Sequence, residues 1–306
     1  MKKTFYSNGK LMITAEYTVL NGAKVLALPT KFGQNLVVEK SEGNQISWKS
    51  FDNDKSIWFE DVISFENIRK KEHFDPEEIT KNTLIEILHE AYLLNPDFLN
   101  NSNGYKVTTA LTFPRNWGLG TSSTLINNIA QWTEVNAFEL LKNSFGGSGY
   151  DIANAQNNFP ILYWIGNEKP VVERVNFRPE FSKNIYFVYL NKKQSSKKAI
   201  EAYRNKKSNI SETVEKIDTI TYKIIQTQDL YEFQQLIAQH ENIMSLVLET
   251  PTAKELYFND FNGSIKSLGA WGGDFVMAVS ENDPTSYFHE KGFETILTYE
   301  EMILKF

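Results

Sequence analysis

Residues 113–124, FPRNWGLGTSST, decide how this chain is read. Pro114 ends a β-like run, Val107–Phe113, and Gly118 and Gly120 then allow a tight backbone path with no Cβ in the way. Thr121, Ser122 and Ser123 lead into Leu125–Trp132, which has helical character. A glycine turn that opens a helix gathers unpaired N–H groups and the positive end of the helix dipole at one point. Such a point binds anions, phosphate above all. The same residues also make an ordinary Ser/Thr N-cap, and the string is neither GxxxxGK[ST] nor GxGxxG, so the rest of the chain must decide.

Working outward, bulk properties narrow the field. The chain has 306 residues, enough for two domains, with 41% hydrophobic and 23% charged residues, as in ordinary globular proteins. The net charge is −6 with acids and bases interspersed, which argues against a nucleic-acid surface. There is no cysteine, so disulfides, thiolate metal sites and a thiol nucleophile are excluded. The four histidines, at 73, 89, 240 and 289, show no HxxxH spacing. No apolar run approaches transmembrane length and the basic start is not a signal peptide, so the expectation is a cytoplasmic protein with no membrane partner.

On the N-terminal side, Lys3–Tyr6 and Leu11–Ala15 alternate as strands. Val19–Leu20, the Asn21-Gly22 pair and Val25–Leu28 are expected to form a tight hairpin. Lys10 and Glu16 stand out at or near the ends of an otherwise apolar β segment; they suit either an edge strand in solvent or a cleft. Strands are expected over Asn35–Glu39, Gln45–Phe51 and Ser56–Phe65, and a helix over Pro76–Leu94 with Asp75 as N-cap and Pro76 at its first position. On the C-terminal side, Ala137–Lys142 is helical, and Gly146, Gly147 and Gly149 bracket Ser148 just before Asp151. That aspartate is either a helix N-cap or an acid held by a tight turn. Ile161–Ile165 is a strand, and the turn after it places a domain boundary at 168/169. The second half reads β-α-α-α-β-(α)-β: Asn184–Leu190, a helix from Ser196, helices Ser211–Gln226 and Leu230–Leu248, another from Thr250 to Phe258, strands Phe275–Val279 and Thr295–Thr298. The class is α+β, with the glycine turns expected at a cleft between the halves.

Three spaced motifs then resemble one family. GK-x₅-EY from Gly9, P-x₃-GLGTSS from Pro114 and GAWGGD at Gly269–Asp274, with GSGYDIA at Gly147–Ala153 in order between the last two, are similar to those of the GHMP kinases, across nearly the whole chain. The resemblance implies a two-domain GHMP kinase fold, a ribosomal protein S5 domain 2-like N-terminal lobe (1–168) and a ferredoxin-like C-terminal lobe (169–306). It implies transfer of the ATP γ-phosphoryl group to a small-molecule substrate. GSGYDIA, Glu16-Tyr17 and the aspartate of GGD look most like phosphomevalonate kinases; a mevalonate kinase, a sugar kinase, or a non-catalytic ligand-binding protein of this fold are the alternatives. Three departures stand out: Ala15 replaces a usual glycine, Thr121 a usual serine, and Trp271 a glycine of the third motif, where an indole is expected to narrow the site or reposition the loop.

Residue by residue, the resemblance makes Pro114, Gly118, Leu119, Gly120, Thr121, Ser122 and Ser123 the triphosphate loop, with Ser122 a ligand of Mg²⁺ and Glu139 a second carboxylate for it. Asp151 and Lys10 become the catalytic pair. Glu16, Tyr17, Ser148, Gly149, Ser195, Ser196, Gly272, Gly273 and Asp274 are expected at the substrate, with Lys192 and Lys193 nearby. ATP and Mg²⁺ are the implied cofactors, nucleic acid is not a partner, and a homodimer is compatible with the chain.

Overall fold

The computed structural model describes residues 2–192, 203, 210–269, 271 and 273–306. The described residues form two compact units that interleave in sequence. The first is Met1–Gly9, Phe32–Arg115 and Leu119–Gln156; the second is Lys10–Lys31, Asn116–Gly118 and Asn157–Phe306.

The first unit is an α+β layer. Long strand β2 (Val25–Lys40) enters it with Gln34–Lys40, which pair antiparallel with β5 (Tyr105–Leu111). β5 runs parallel to β3 (Gln45–Phe51), and β3 pairs antiparallel with β4 (Ile57–Ser64). Alternation does the work here: Leu36 and Val38, Ile46 and Trp48, and Tyr105 and Val107 point to one buried face. Against that face pack Ile85, Leu88, Ile129 and Leu140 from α2 (Ile79–Leu94), α4 (Thr121–Thr133) and α5 (Ala137–Ser144). Short helices α1 (Phe65–Lys70), α3 (Asp97–Asn100) and α6 (Tyr150–Ala155) complete the unit. Ser64 and Asn67 form a reciprocal capping box at α1.

The second unit contains β6 (Ile161–Gly166), which pairs with Val25–Ala27 of β2 and with β7 (Lys169–Arg174). Its other sheet is four-stranded and antiparallel, in the order β11 (Ile296–Thr298), β8 (Ile185–Tyr189), β10 (Phe275–Val279), β9 (Ser264–Leu268). Helices α7 (Ile210–Gln226), α8 (Leu230–Leu248), α9 (Ala253–Tyr257), α10 (Thr285–Glu290) and α11 (Tyr299–Met302) accompany it. Phe258, Phe261 and Phe288 cluster against Val188, Val276 and Ala278. β1 (Lys2–Met12) pairs with β2.

Most expected elements are present within a few residues of their expected ends, and several readings change: β1 runs unbroken through Ser7-Asn8-Gly9, expected as a turn, and β7 takes in part of the turn expected after β6. Thr18–Asn21 is a 3-10 turn and not a hairpin arm, because Gly22, at φ +94°, closes it by donating its N–H to Thr18 and Val19 carbonyls. The α2 helix starts at Ile79. Asp75 caps only a local turn, accepting the Glu77 N–H at 2.9 Å, and Pro76 lies outside the helix. Strand β9 has no counterpart in the sequence reading, because SIKSL looks polar; all five of its residues are nevertheless buried. The expected helix from Ser196 falls outside the described residues, apart from Tyr203.

Trp48 is a direct probe of the first core. It is fully buried with its indole N–H on Ser50 Oγ at 3.0 Å. Trp48→Ala should cost roughly 3–5 kcal/mol, measured as a fall in the urea unfolding midpoint followed by circular dichroism.

Candidate functional site

In the first unit, the second half of the glycine turn opens α4. Gly120 is the N-cap, at φ +97°, and no side chain caps the helix. The serine and threonine N-cap reading is thus corrected: a left-handed glycine takes that place, and the first-turn N–H groups keep no side-chain acceptor among the described residues. This is the arrangement an anion completes. The hydroxyls that follow divide by direction. Ser122 is exposed. Ser123 is buried and donates to Gly120 O at 2.9 Å, and Thr124 donates to Gln34 Oε1 at 2.8 Å. Leu119 is buried, and Pro114 and Thr121 are half-buried.

A buried amide network lies behind α4. Ser7 donates to Asn128 Oδ1 at 2.8 Å and accepts from Asn127 Nδ2 at 2.8 Å. Asn128 Nδ2 reaches Gln34 O at 2.9 Å, and Gln156 Nε2 reaches Asn127 Oδ1 at 3.1 Å. Asn154, on α6, donates to Gly9 O at 3.0 Å. These bonds tie α4 to β1 and β2 and fix the end of α6, the helix that carries Asp151. Nothing in the sequence reading singled them out. The available signal was a run of amides, Asn127-Asn128 and Asn154, on helices otherwise apolar toward the sheet.

Asp151 is not the N-cap of α6. That place belongs to Gly149, at φ +87°, and Asp151 stands in the first turn, half-buried, accepting the Ile152 N–H at 3.1 Å. An acid in a first turn is favoured by the helix dipole in its ionised form. Ser148 is half-buried beside it. Glu139 is exposed in the first turn of α5, whose N-cap is Asn136. Among the described residues no His, Cys, Asp and Glu group is arranged to hold a metal ion.

In the second unit, the first half of the glycine turn is anchored by aromatic residues. Trp117 packs edge-on against Phe275, with ring centroids 5.4 Å apart, and Tyr189 donates to Asn116 O at 3.3 Å. Lys10 Nζ donates to Gly118 O at 3.3 Å, so the structure brings together two of the expected site residues. Asp274 is buried, at φ +56°, and lies directly against Gly118. A Cβ added at Gly118 would come within 2.4 Å of Asp274 Cγ. The Asp274 N–H donates to Lys192 O at 2.7 Å, and its O accepts from Leu190 N. Burial, and then Asp274, push up the pKa of Tyr189. Asp274 therefore shapes the glycine turn. Lys193, Ser195, Ser196 and Gly272 lie outside the described residues, and Gly273 is buried.

Glu16 and Tyr17 also take positions that sequence alone did not suggest. Glu16 is 1% exposed and holds Lys266 Nζ at 2.6 Å. Tyr17 is buried, stacks on Tyr203 at 5.6 Å, and accepts the Trp271 N–H at 2.9 Å. The Trp271 indole N–H is drawn off to Pro251 O at 3.0 Å. The expected bulk at that glycine position is thus tethered toward the start of α9.

No family model and no curated protein sequence matches the chain. Solved structures do. A mevalonate kinase from Methanococcus jannaschii aligns over 100% of this chain and 99% of its own, with TM-score 0.72 and 15% identity. A Streptococcus pneumoniae phosphomevalonate kinase, solved with phosphomevalonate and AMPPNP, covers 97% of this chain and 99% of its own, with TM-score 0.70 and 14% identity. Lactococcus lactis galactokinase, complexed with galactose, covers 95% of this chain and 88% of its own at TM-score 0.62 and 15% identity. The chain has the GHMP kinase fold. No helix among the described residues is long and apolar enough to cross a membrane.

Two measurements probe this geometry. Gly118→Ala puts a Cβ onto Asp274 in a left-handed backbone position and should cost of order 1–3 kcal/mol. Combining it with Asp274→Gly should destabilise by less than the sum of the two, read from thermal melts. The second concerns pH. Burial pushes Glu16 up to about 7, with Lys266 pulling the other way. A group whose folded pKa is raised stabilises fully below its unfolded pKa and loses that contribution as pH rises through the folded value. The difference in melting temperature between Glu16→Gln and the parent protein should therefore grow in favour of the variant from about pH 4.5 to about pH 7 and level off above. A flat difference would contradict the assignment.

Proposed function

We propose that this chain is an ATP- and Mg²⁺-dependent kinase that phosphorylates a small molecule, with phosphomevalonate as the acceptor. The observation that carries the reading is the uncapped, glycine-opened start of α4, reached through a turn on which the Lys10 ammonium sits. A helix start left open in this way is an anion seat. The neighbouring structures named above are kinases by name, and the GSGYDIA and EY strings resemble those of phosphomevalonate kinases.

In this reading the backbone N–H groups of Gly118–Ser122 hold the β- and γ-phosphates. The fixed dipoles match charge that spreads onto the transferring group, and they need no reorganisation as it moves. Lys10 supplies a cation for the same charge. The bond from the γ-phosphorus to the ADP oxygen breaks, and one forms to the acceptor oxygen. If that oxygen is a hydroxyl, Asp151 takes its proton. A phosphate acceptor is already ionised, and Asp151 then orients it. Ser122, exposed on the first turn of α4, and Glu139, exposed on α5, are the residues that would hold Mg²⁺ in this reading. When bound, Mg²⁺ would neutralise phosphate charge.

The test is an ADP-release assay with purified protein, ATP and Mg²⁺, offering phosphomevalonate, mevalonate or galactose separately. Turnover confined to phosphomevalonate is expected. Turnover of another acceptor alone would replace the substrate, and none with any would remove the kinase reading. Asp151→Ala should lower turnover by roughly 10²–10⁴-fold while an ATP analogue still binds by calorimetry.

A further inference from the structure

The second unit contains a buried charge cluster around Glu16 whose other members, Lys266, Glu241 and His240, have no role given above. Lys266, in the middle of β9, has no exposed surface. Its ammonium donates to Glu16 Oε1 at 2.6 Å, to Glu241 Oε1 at 3.2 Å and to Ser267 O at 3.2 Å. Glu241 is itself held, accepting the Ser267 N–H at 3.0 Å. Its neighbour on α8, His240, is fully buried and accepts the Ala15 N–H on Nε2 at 3.0 Å, with Glu16 Oε2 3.5 Å away. Among the described residues, Glu16 Oε2 and His240 Nδ1 have no hydrogen-bond partner.

A lysine and two carboxylates are not placed in a core for stability. Taking such ions out of water costs several kcal/mol each, and apolar replacements of similar volume are often neutral or better. What they do supply is position. The cluster closes on one segment, and that segment is strained. Ala15 has φ +66° and Tyr17 φ +59°, so two non-glycine residues in the left-handed region flank Glu16. Each costs of order 1–3 kcal/mol and persists only where its surroundings over-determine it. Here the surroundings are the bonds just named: His240 takes the Ala15 N–H, Lys266 takes the Glu16 carboxylate, and Tyr17 receives the Trp271 N–H. The far end of the same segment is Lys10, on Gly118 O.

We propose that Lys266, with Glu241 and His240, is a positioning clamp that holds the Lys10–Tyr17 segment in its strained form and thereby sets the Lys10 ammonium on the glycine turn. Glu16 belongs to this clamp. The proposal rests on the kinase reading for its catalytic consequence, and on geometry alone for the clamp. His240 stays neutral in this role. Burial, and then Lys266, hold its pKa well below the usual imidazole value, which keeps Nε2 an acceptor for Ala15. Burial disfavours the Lys266 charge, but Glu16 and Glu241 outweigh it and raise its pKa.

The experiment removes the clamp without leaving a bare buried charge. The triple variant Glu16→Gln, Glu241→Gln, Lys266→Met is neutral and close in volume. Two readouts are taken on it. Hydrogen exchange at the Ala15 amide, followed by mass spectrometry in the absence of nucleotide, should quicken at least tenfold. Turnover should fall at least tenfold while KM for ATP changes less than threefold, because Lys10 is misplaced mainly for the transition state. Unchanged exchange overturns the clamp, whatever the reaction. Quicker exchange with turnover within twofold of the parent overturns its link to Lys10. If the parent protein turns over no acceptor, the kinase reading fails and the exchange measurement alone decides the clamp. Should the triple variant not fold, Glu16→Asp keeps the charge count and shortens the reach. A melting temperature within a few degrees together with quicker Ala15 exchange and lower turnover supports the proposal, and parent-like exchange overturns it.

Discussion

A lysine ammonium buried without exposed surface dictates much of the second unit. Lys266 sits at the centre of β9, and a cation there demands carboxylates within hydrogen-bond reach. One is supplied from α8 by Glu241, and the other from the segment after β1 by Glu16. The second of these draws residues far apart in sequence into one place and holds Ala15 and Tyr17 in backbone conformations that non-glycine residues disfavour. Removing Lys266 would leave both carboxylates without their cation in a low-dielectric interior, a loss of about 3–5 kcal/mol, whereas removing one carboxylate leaves the ammonium on the other.

The glycine turn is built in two halves by different forces. In the second unit, Asn116–Gly118 is held by Tyr189, by the packing of Trp117 on Phe275 and by Asp274 against Gly118, where no Cβ could fit. In the first unit, the start of α4 is held from behind by Thr124 on Gln34 and by the Ser7, Asn127 and Asn128 network. Gly120 leaves the helix start without a side-chain cap. Polar side chains close to the turn are thus spent on holding it in place, and among the described residues the first N–H groups of α4 have no side-chain cap.

Solved kinases only 14–15% identical align over nearly the whole of this chain, which shows how little of a fold depends on particular side chains. Departures at motif positions are absorbed locally. Ala15 keeps the left-handed backbone expected of a glycine because its N–H is fixed by His240. Trp271 takes a glycine position while its indole is tied to Pro251.

Periodicity and turn chemistry were enough, from sequence alone, for the strands of the first sheet, the helices α4, α5, α7 and α8, and the glycine turn, since these depend on neighbours within a few residues. The amphipathic stripe of α8 was legible, but the two polar residues inside it, His240 and Glu241, were not assigned a purpose. Tertiary structure alone decided the rest. β9 is a buried strand because Lys266 finds two carboxylates from distant segments. The contacts of Glu16 and Tyr17 were not legible because their partners, Lys266, Tyr203 and Trp271, lie more than 180 positions away. Asn21-Gly22 ends a 3-10 turn because β6, and not its own neighbour, pairs with Val25–Ala27. Local pattern reports what a segment prefers; whether a charge is a surface residue, a ligand or a clamp depends on what the fold places opposite it.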